Sequence, residues 1–263
     1  MLVYRMASAC QENSPFNPEL VIKACPVETW SNIELRVKQC VELAQAEFPD
    51  EEIKVVHCLS PKEKTFRYDL FPEYKANRKD TVRPVLLGEM RDKLCKENDV
   101  QMWDNLEADD TIGILADGES TVVVSSDKDL KQIESYHMSL SHPEFIDYYD
   151  EESGVKFFLT QCIAGDPTDG YYGVPGIGMA KAKKLLEKEG YTWETVVSAY
   201  TGAMSPKSHK GKKIESYNLG LTEDDALLTA RMAYILKEEH EYNNETEEVT
   251  YWHPSNWTSW PQG

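Results

Sequence analysis

Residues 121–125 read Thr-Val-Val-Val-Ser, and this unbroken β-branched run constrains the fold more than any other stretch of the chain. β-branched side chains favour strands, and a run without polar alternation marks a strand covered on both faces. Such strands belong to sheets that carry helices on either side. The neighbouring sequence supplies that pattern. Residues 53–59 (Ile-Lys-Val-Val-His-Cys-Leu) read as another strand. Ile33, Leu35, Val37, Val41, Leu43, Ala44 and Phe48 recur at helical spacing and predict a helix over about 28–48. Further helices are predicted over 85–94, where Pro84 suits a first helical turn, and over 109–116, 157–164, 180–189 and 222–239. Strands alternating with helices predict an α/β fold with a mainly parallel sheet flanked by helices, and 263 residues supply a sizeable core for it. The helical signal dominates from about 155, so the expected organisation is a core over 1–154, a helical subdomain over 155–240 and a tail over 241–263. Residues 205–213, rich in Lys, Ser and Gly, read as a mobile loop, and the tail tryptophans Trp252, Trp257 and Trp260 fall in no motif.

The chain carries 28 basic and 46 acidic residues, a net of −18, which as a bare sum speaks against a nucleic-acid partner. The distribution of those charges points the other way. Residues 101–170 hold 3 basic and 16 acidic residues, whereas 60–83 hold 7 basic against 4 acidic and 171–213 hold 8 basic against 3 acidic. An acidic centre between two basic segments reads either as uneven solvated surface or as a metal-loaded carboxylate cluster beside surfaces that hold a polyanion. No run of about 18 apolar residues offers a membrane span, and the opening Met-Leu-Val-Tyr-Arg is not a secretory signal. Cys10, Cys25, Cys40, Cys58, Cys95 and Cys162 form no C-x-x-C pair and read as reduced structural thiols of a cytosolic protein.

Three acidic motifs sit at element edges. Leu106-Glu107-Ala108-Asp109-Asp110 enters a predicted helix, and Ser125-Ser126-Asp127-Lys128-Asp129 follows the β-branched strand. Gly165-Asp166-Pro167-Thr168-Asp169-Gly170 follows another helix. Ligands of open parallel sheets gather outside the carboxyl ends of the strands, which is where Asp127 and Asp129 fall. Oxygen-only clusters suit Mg²⁺ or Mn²⁺, and converging carboxylates stay ionised together only around cations. Two such ions would clamp both oxygens of an in-line phosphoryl displacement. Taken singly, each motif is equally an ordinary helix start or turn.

Gly173-Val-Pro-Gly176-Ile-Gly178 leads into a lysine-bearing helix with Lys181, Lys183 and Lys184. Glycines permit a tight turn and close approach, and a helix start offers free N–H groups to phosphate, so the segment reads as a grip on the DNA backbone or as a plain helix–turn–helix connection with no ligand. A third basic element, Arg67-Tyr-Asp-Leu-Phe-Pro-Glu-Tyr74-Lys75-Ala-Asn-Arg78-Lys79, interleaves aromatics with cations as a stacked, unpaired strand end would require, while each residue singly is equally surface filler or a core aromatic.

Together these residues resemble the 5′-to-3′ exonuclease and flap-endonuclease family, most of all its phage replication exonucleases. Pro72-Glu-Tyr-Lys-Ala-Asn-Arg78, Glu107-Ala-Asp-Asp110, Ser126-Asp-Lys-Asp129, Gly165 to Gly170 and Gly173 to Gly178 carry the likeness in order across residues 1–240. The resemblance implies a PIN-like core with a helix-three-turn-helix module. It implies Glu107, Asp109 and Asp127 as ligands of the catalytic metal pair (Mg²⁺ or Mn²⁺, two sites), with Asp110 assisting, and Asp129, Asp166 and Asp169 on the second-metal side. Tyr74 resembles the residue on which a terminal base stacks, and Lys75 and Arg78 those that hold and polarise the scissile phosphate. Arg5 matches a phosphate-contacting position, Arg67 belongs to the basic DNA-facing segment, and the 173–178 turn resembles the duplex grip, which often takes K⁺. Implied are hydrolysis of duplex DNA bearing a 5′ end or flap to short 5′-phosphorylated products, an RNA–DNA hybrid as a further substrate, and a monomer in the cytoplasm of a phage host.

Two departures stand out. Ser60-Pro61 occupies a place where the family often has an Asp. In the family's register another Asp falls about two residues upstream of Met1, so the expectation is that Met1 is an internal methionine of a fuller protein. A natural short variant with weak activity and a nuclease-derived DNA-binding protein without catalysis are the competing readings.

Overall fold

The computed structural model describes residues 1–78, 81–203, 208–209, 212–213 and 218–256. The chain opens with helix α1 (Leu2–Ala9) and a hairpin of β1 (Gln11–Asn13) and β2 (Val21–Ala24), neither of them predicted from periodicity. Helix α2 (Pro26–Glu47) follows with proline at its start, close to the expected range. Then come β3 (His57–Cys58), α3 (Phe66–Leu70), α4 (Leu87–Glu97), β4 (Val100–Gln101), α5 (Ala108–Leu115) and β5 (Gly118–Val124). After β6 (Ser135–Met138) and β7 (Ile146–Tyr149) the chain turns largely helical. That half comprises α6 (Glu151–Ala164), the short pair β8 (Gly165–Asp166) and β9 (Tyr171–Tyr172), α7 (Met179–Glu189), α8 (Trp193–Thr201) and α9 (Glu223–Ala233). Of the loop expected over 205–213, only the two-residue ladder β10 (Ser208–His209) with β11 (Lys212–Lys213) falls among the described residues. A last hairpin joins β12 (Tyr242–Asn243) to β13 (Glu248–Val249).

Parallel pairing runs through the sheet, in two pieces. β3 pairs parallel with β4, and β5 pairs parallel with β6, which adds β7 in antiparallel register. The strand expected over 53–59 forms ladder bonds only at its end. The β-branched run is covered on both faces only around its centre, with Val123 its one fully buried residue. Val122 packs toward Ala44 and Met138, while Val123 is buried with Leu130, Ile133 and Ile235. Val124 emerges, exposed, next to the loop that carries Asp127.

The main core crosses the boundary drawn at 154/155. Phe66, Tyr74 and Leu106 share one cluster with the buried residues of α6 to α9 and with Tyr242 and Trp252. Helix α6 is its axis, with Phe158, Leu159, Cys162 and Ile163 fully buried, each large apolar side chain stabilising by about 1.5–3 kcal/mol. Trp252 packs edge-on against Phe158 and Trp193 at 5.1 Å. The tail up to residue 256 is therefore a strap laid over both halves, whereas Trp257 and Trp260 lie outside the described residues.

Helix α9 ends at Ala233, short of the predicted 239. The reason is tertiary. The Tyr234 carbonyl accepts from Arg67, and the amides of Ile235 and Leu236 donate to Gln132 and Asp110, so these groups leave the helical ladder for the core. Gly113 makes room for them: a Cβ there would lie 2.1 Å from the Leu236 carbonyl oxygen. Among the described residues no helix is long and apolar enough to cross a membrane.

Candidate active site and nucleic-acid interface

Four segments meet outside the carboxyl ends of the strands: the start of α5, the loop after β5, the turn after α6, and residues 73–78. Glu107 and Asp109 stand at the first turn of α5, whose end is closed by the Ser60 hydroxyl accepting from the Ala108 amide at 2.9 Å. Ser60 thus serves as a cap in the place where a carboxylate was looked for. Asp127 and Asp129 flank Lys128, and Asp127 Oδ1 accepts from the Asp129 amide. Asp166 and Asp169 lie in the turn 165–170. That turn is fastened to residues 73–78 by the Lys75 amide donating to the Asp169 carbonyl and by Asn77 donating to the Pro167 and Thr168 carbonyls.

Three expectations are corrected. Arg67, expected at a DNA surface, is only 3% exposed. It forks onto Asp110, Nη1 donating to Oδ2 at 2.6 Å and Nη2 to Oδ1 at 2.9 Å, and it also donates to the carbonyls of Met232 and Tyr234. Asp110, expected to assist a metal, is fully buried in that pair and also accepts from the amides of Glu107 and Leu236. Both residues hold α3, α5 and the end of α9 together. Tyr74 is 3% exposed and presents no open face for a base. Its ring meets Tyr68 edge-on and its hydroxyl donates to Glu107 at 2.8 Å and Asp169 at 3.1 Å.

The carboxylates differ in their surroundings, and the difference sorts them. Burial pushes Glu107 up, but the charges of Arg67 and Lys75, with Lys75 Nζ 2.5 Å away, outweigh it and hold the group below the usual range. Asp169 is bound by Arg78 and lies 3.7 Å from Lys75. Asp166, only 6% exposed at its side chain, is paired with Lys128 at 2.8 Å, which holds it low against the opposing effect of burial. Asp109 forms no salt bridge among the described residues, and Lys75 and the Met1 amino group act on it only at longer range. Burial, then the charges of Asp127, Glu107 and Asp110, push it up to about 7. Asp129 is pushed up to about 6 by burial and by Asp127, and its Oδ1 is buried without a hydrogen bond.

These observations test the fit of divalent ions. Around Asp109 and Asp127 the residues fit: oxygen donors only, two like charges that repel, and a buried unbonded carboxylate oxygen nearby. On the side of Asp166 and Asp169 they do not fit as they stand, because cationic side chains already pair both carboxylates. The six or seven converging carboxylates expected from the motifs are accordingly not assembled, and among the described residues no three acidic, His or Cys side chains form a metal set. Lys128, which sequence reasoning places within its motif without a role, emerges as part of the site. Its only signal in the sequence is a lysine between two aspartates.

Arg5 reaches the same region from α1, Nη1 donating to Ser126 and Ser141 at 2.9 Å each. The glycine turn is tied to the end of α6, the Val174 amide donating to the Ile163 carbonyl. A Cβ on Gly173 would fall 2.1 Å from the Ile163 carbonyl, and Gly176 has φ +80, so both positions need glycine for packing and conformation. Gly178 caps α7, whose Lys181, Lys183 and Lys184 are exposed while Ala182 and Leu186 are buried. Lys181 Nζ donates to the Gly176 carbonyl at 2.8 Å, so its ammonium sits on the turn where K⁺ was expected. Lys183→Ala with Lys184→Ala should weaken duplex binding and flatten the slope of log Kd against log salt by nearly 2, about 0.9 per lost phosphate contact. Salt titration by fluorescence anisotropy measures it, and an unchanged slope removes α7 from the interface.

Comparison with known proteins supplies the lineage. Residues 28–158 match the family model described as 5′-3′ exonuclease, N-terminal resolvase-like domain. The exonuclease of Escherichia phage T7 is 31% identical over 206 residues, covering 70% of this chain and 68% of that protein. A 5′-3′ exonuclease of Bacillus subtilis is 34% identical over 181 residues, 60% of this chain and 59% of its own. The structure of the phage T5 5′-exonuclease described with bound zinc superposes with a TM-score of 0.52 at 20% identity, over 76% of this chain and 80% of that one, a likeness of fold. With the relatives at this identity, the matched domain and the PIN-like fold in agreement, the chain belongs to the 5′-3′ exonuclease family.

Proposed function

We propose that the protein is a divalent-metal-dependent 5′-3′ exonuclease of duplex DNA, also suited to flaps and RNA–DNA hybrids, and yielding short 5′-phosphorylated products. One observation carries this reading: Asp109 is buried near Asp127, Glu107 and Asp110 and forms no salt bridge among the described residues, a few side chains from Lys75 and Arg78. Carboxylates so placed are stabilised by a cation, and the neighbouring lysine and arginine suit a phosphodiester. Bound Mg²⁺ or Mn²⁺ would there lower the pKa of a water and neutralise charge on the phosphate, with Asp109 and Asp127 as holders, joined by Glu107 once Lys75 leaves it for the phosphate.

The chain's own residues do the rest. Lys75 and Arg78 exchange Glu107 and Asp169 for the non-bridging phosphate oxygens and stabilise the charge that grows on them. Tyr74, its hydroxyl given to Glu107 and Asp169, fixes the two carboxylates that those cations must leave. Arg5 and the α7 lysines hold backbone phosphates on either side, the lysines belonging to the helical half over 155–240. A 5′-labelled duplex incubated with Mn²⁺ should give short labelled products, and none after chelation with EDTA. Tight binding without any product would replace this reading by that of a DNA-binding protein derived from a nuclease.

A further inference from the structure

Lys75 and Arg78 sit on a segment that is latched to the turn 165–170 by bonds that involve no charge. Three consecutive carbonyls of the turn accept from it. Those of Pro167 and Thr168 accept from the Asn77 side-chain amide at 3.3 and 3.1 Å, and that of Asp169 accepts from the Lys75 amide at 2.8 Å. An Asn amide carries two hydrogens, one for each of its two carbonyls. The approach is close: a Cβ on Gly170, which has φ +85, would lie 3.4 Å from the Glu73 carbonyl oxygen and 3.5 Å from the Lys75 nitrogen. Lys75 itself is held at φ +53, a left-handed conformation that a lysine adopts only at a cost and keeps only where its surroundings impose it. Asn77 reaches the turn from the single 3₁₀ turn Ala76–Arg78, and it is exposed, so it adds little to the core.

On the proposed reading the ion pairs of this segment are temporary, since Lys75 leaves Glu107 and Arg78 leaves Asp169 for phosphate oxygens. What then still joins the segment to the turn is the neutral set of bonds to the three carbonyls. We infer that Asn77 is a positioning residue, which keeps the cation-bearing segment in register with the turn while its two cations change partners. The inference rests on the proposed nuclease reading and adds a residue that acts through others rather than on the reacting atoms. Without the Asn77 amide, the single bond from Lys75 to Asp169 would carry that register. The left-handed backbone at Lys75 would then be free to relax, and its ammonium would move with it. A displacement of about 1 Å at a charge that stabilises a transition state is enough to cost on the order of 100-fold in rate.

Asn77→Ala should slow single-turnover cleavage of a labelled duplex by about 10- to 100-fold, while its duplex Kd stays within about twofold of wild type. Asn77→Asp, of the same shape but without a donor at neutral pH, should lose at least as much. Independently of turnover, the Lys75 amide should exchange its hydrogen about three- to tenfold faster in Asn77→Ala, read by NMR on the chain free of metal and DNA. The melting temperature should hardly move, because the side chain is exposed. Cleavage by Asn77→Ala at the rate of an active wild type overturns the inference and leaves the proposed activity standing. Slow cleavage with unchanged exchange at Lys75 overturns it as well, since Asn77 would then act on the substrate and not through the latch. A melting temperature lowered by more than about 5 °C would make Asn77 a support of the fold and is equally contrary. A wild-type chain that binds duplex and cuts none removes the activity, and with it the inference that rests on it.

Discussion

Arg67→Met should cost about 3–5 kcal/mol of stability, the usual result of leaving a buried carboxylate without its partner. For a chain of this size that lowers the melting temperature by on the order of 10 °C in a thermal melt followed by circular dichroism. Asp110 would remain in the core, where burial alone disfavours its charge, and the carbonyls of Met232 and Tyr234 would lose their donor. Replacing both partners together, as Arg67→Met with Asp110→Leu, should return part of the loss, because a well-packed apolar pair avoids the desolvation of both ions. A loss below about 1 kcal/mol for the single variant would show that the pair is not structural and would reopen a DNA-facing role for Arg67.

Asp127→Ala should reduce the cleavage rate at least about 100-fold, more than is typical for groups that merely orient a ligand. Duplex affinity should stay level or rise, since the change removes a negative charge from a surface proposed to meet phosphates. The variant should also bring Asp109 down toward the ordinary carboxylate range by taking away its largest like-charged neighbour. Single-turnover kinetics on a labelled duplex, beside anisotropy on the same DNA, separates the two effects. Normal cleavage by Asp127→Ala would remove the loop after β5 from the site.

The sequence announced much of the scaffold because the informative signals were local. A β-branched run and apolar spacing predict β5, α2, α5 and α7 to within a few residues, whereas Pro84, expected in a first helical turn, precedes α4, which starts at Leu87. What escaped was decided by tertiary contact. Tyr234, Ile235 and Leu236 continue a helical pattern, yet their backbone groups bond to Arg67, Gln132 and Asp110, partners more than 100 residues away. The motifs likewise marked where the site lies and misassigned some of its members. Arg67 and Asp110 carry the charges expected of surface and metal-binding residues, and only burial shows that they neutralise each other. Tyr74 stands among cations like a stacking platform, and only its packing against Tyr68 shows that its face is taken. Whether a lysine between aspartates points outward or back onto a carboxylate is a rotamer question, which spacing does not answer.

Helix α6 carries one more implication. Its last carbonyls bind the glycine turn directly, the Val174 amide donating to Ile163 at 2.8 Å, and the Asp166–Asp169 turn is its immediate continuation. The glycine turn and the Asp166–Asp169 carboxylates are thus both mounted on the end of a single buried helix. On the proposed reading, a strand seated on the turn would meet the carboxylates at an offset set by the few residues between Asp169 and Gly173, a spacing that does not depend on the bases.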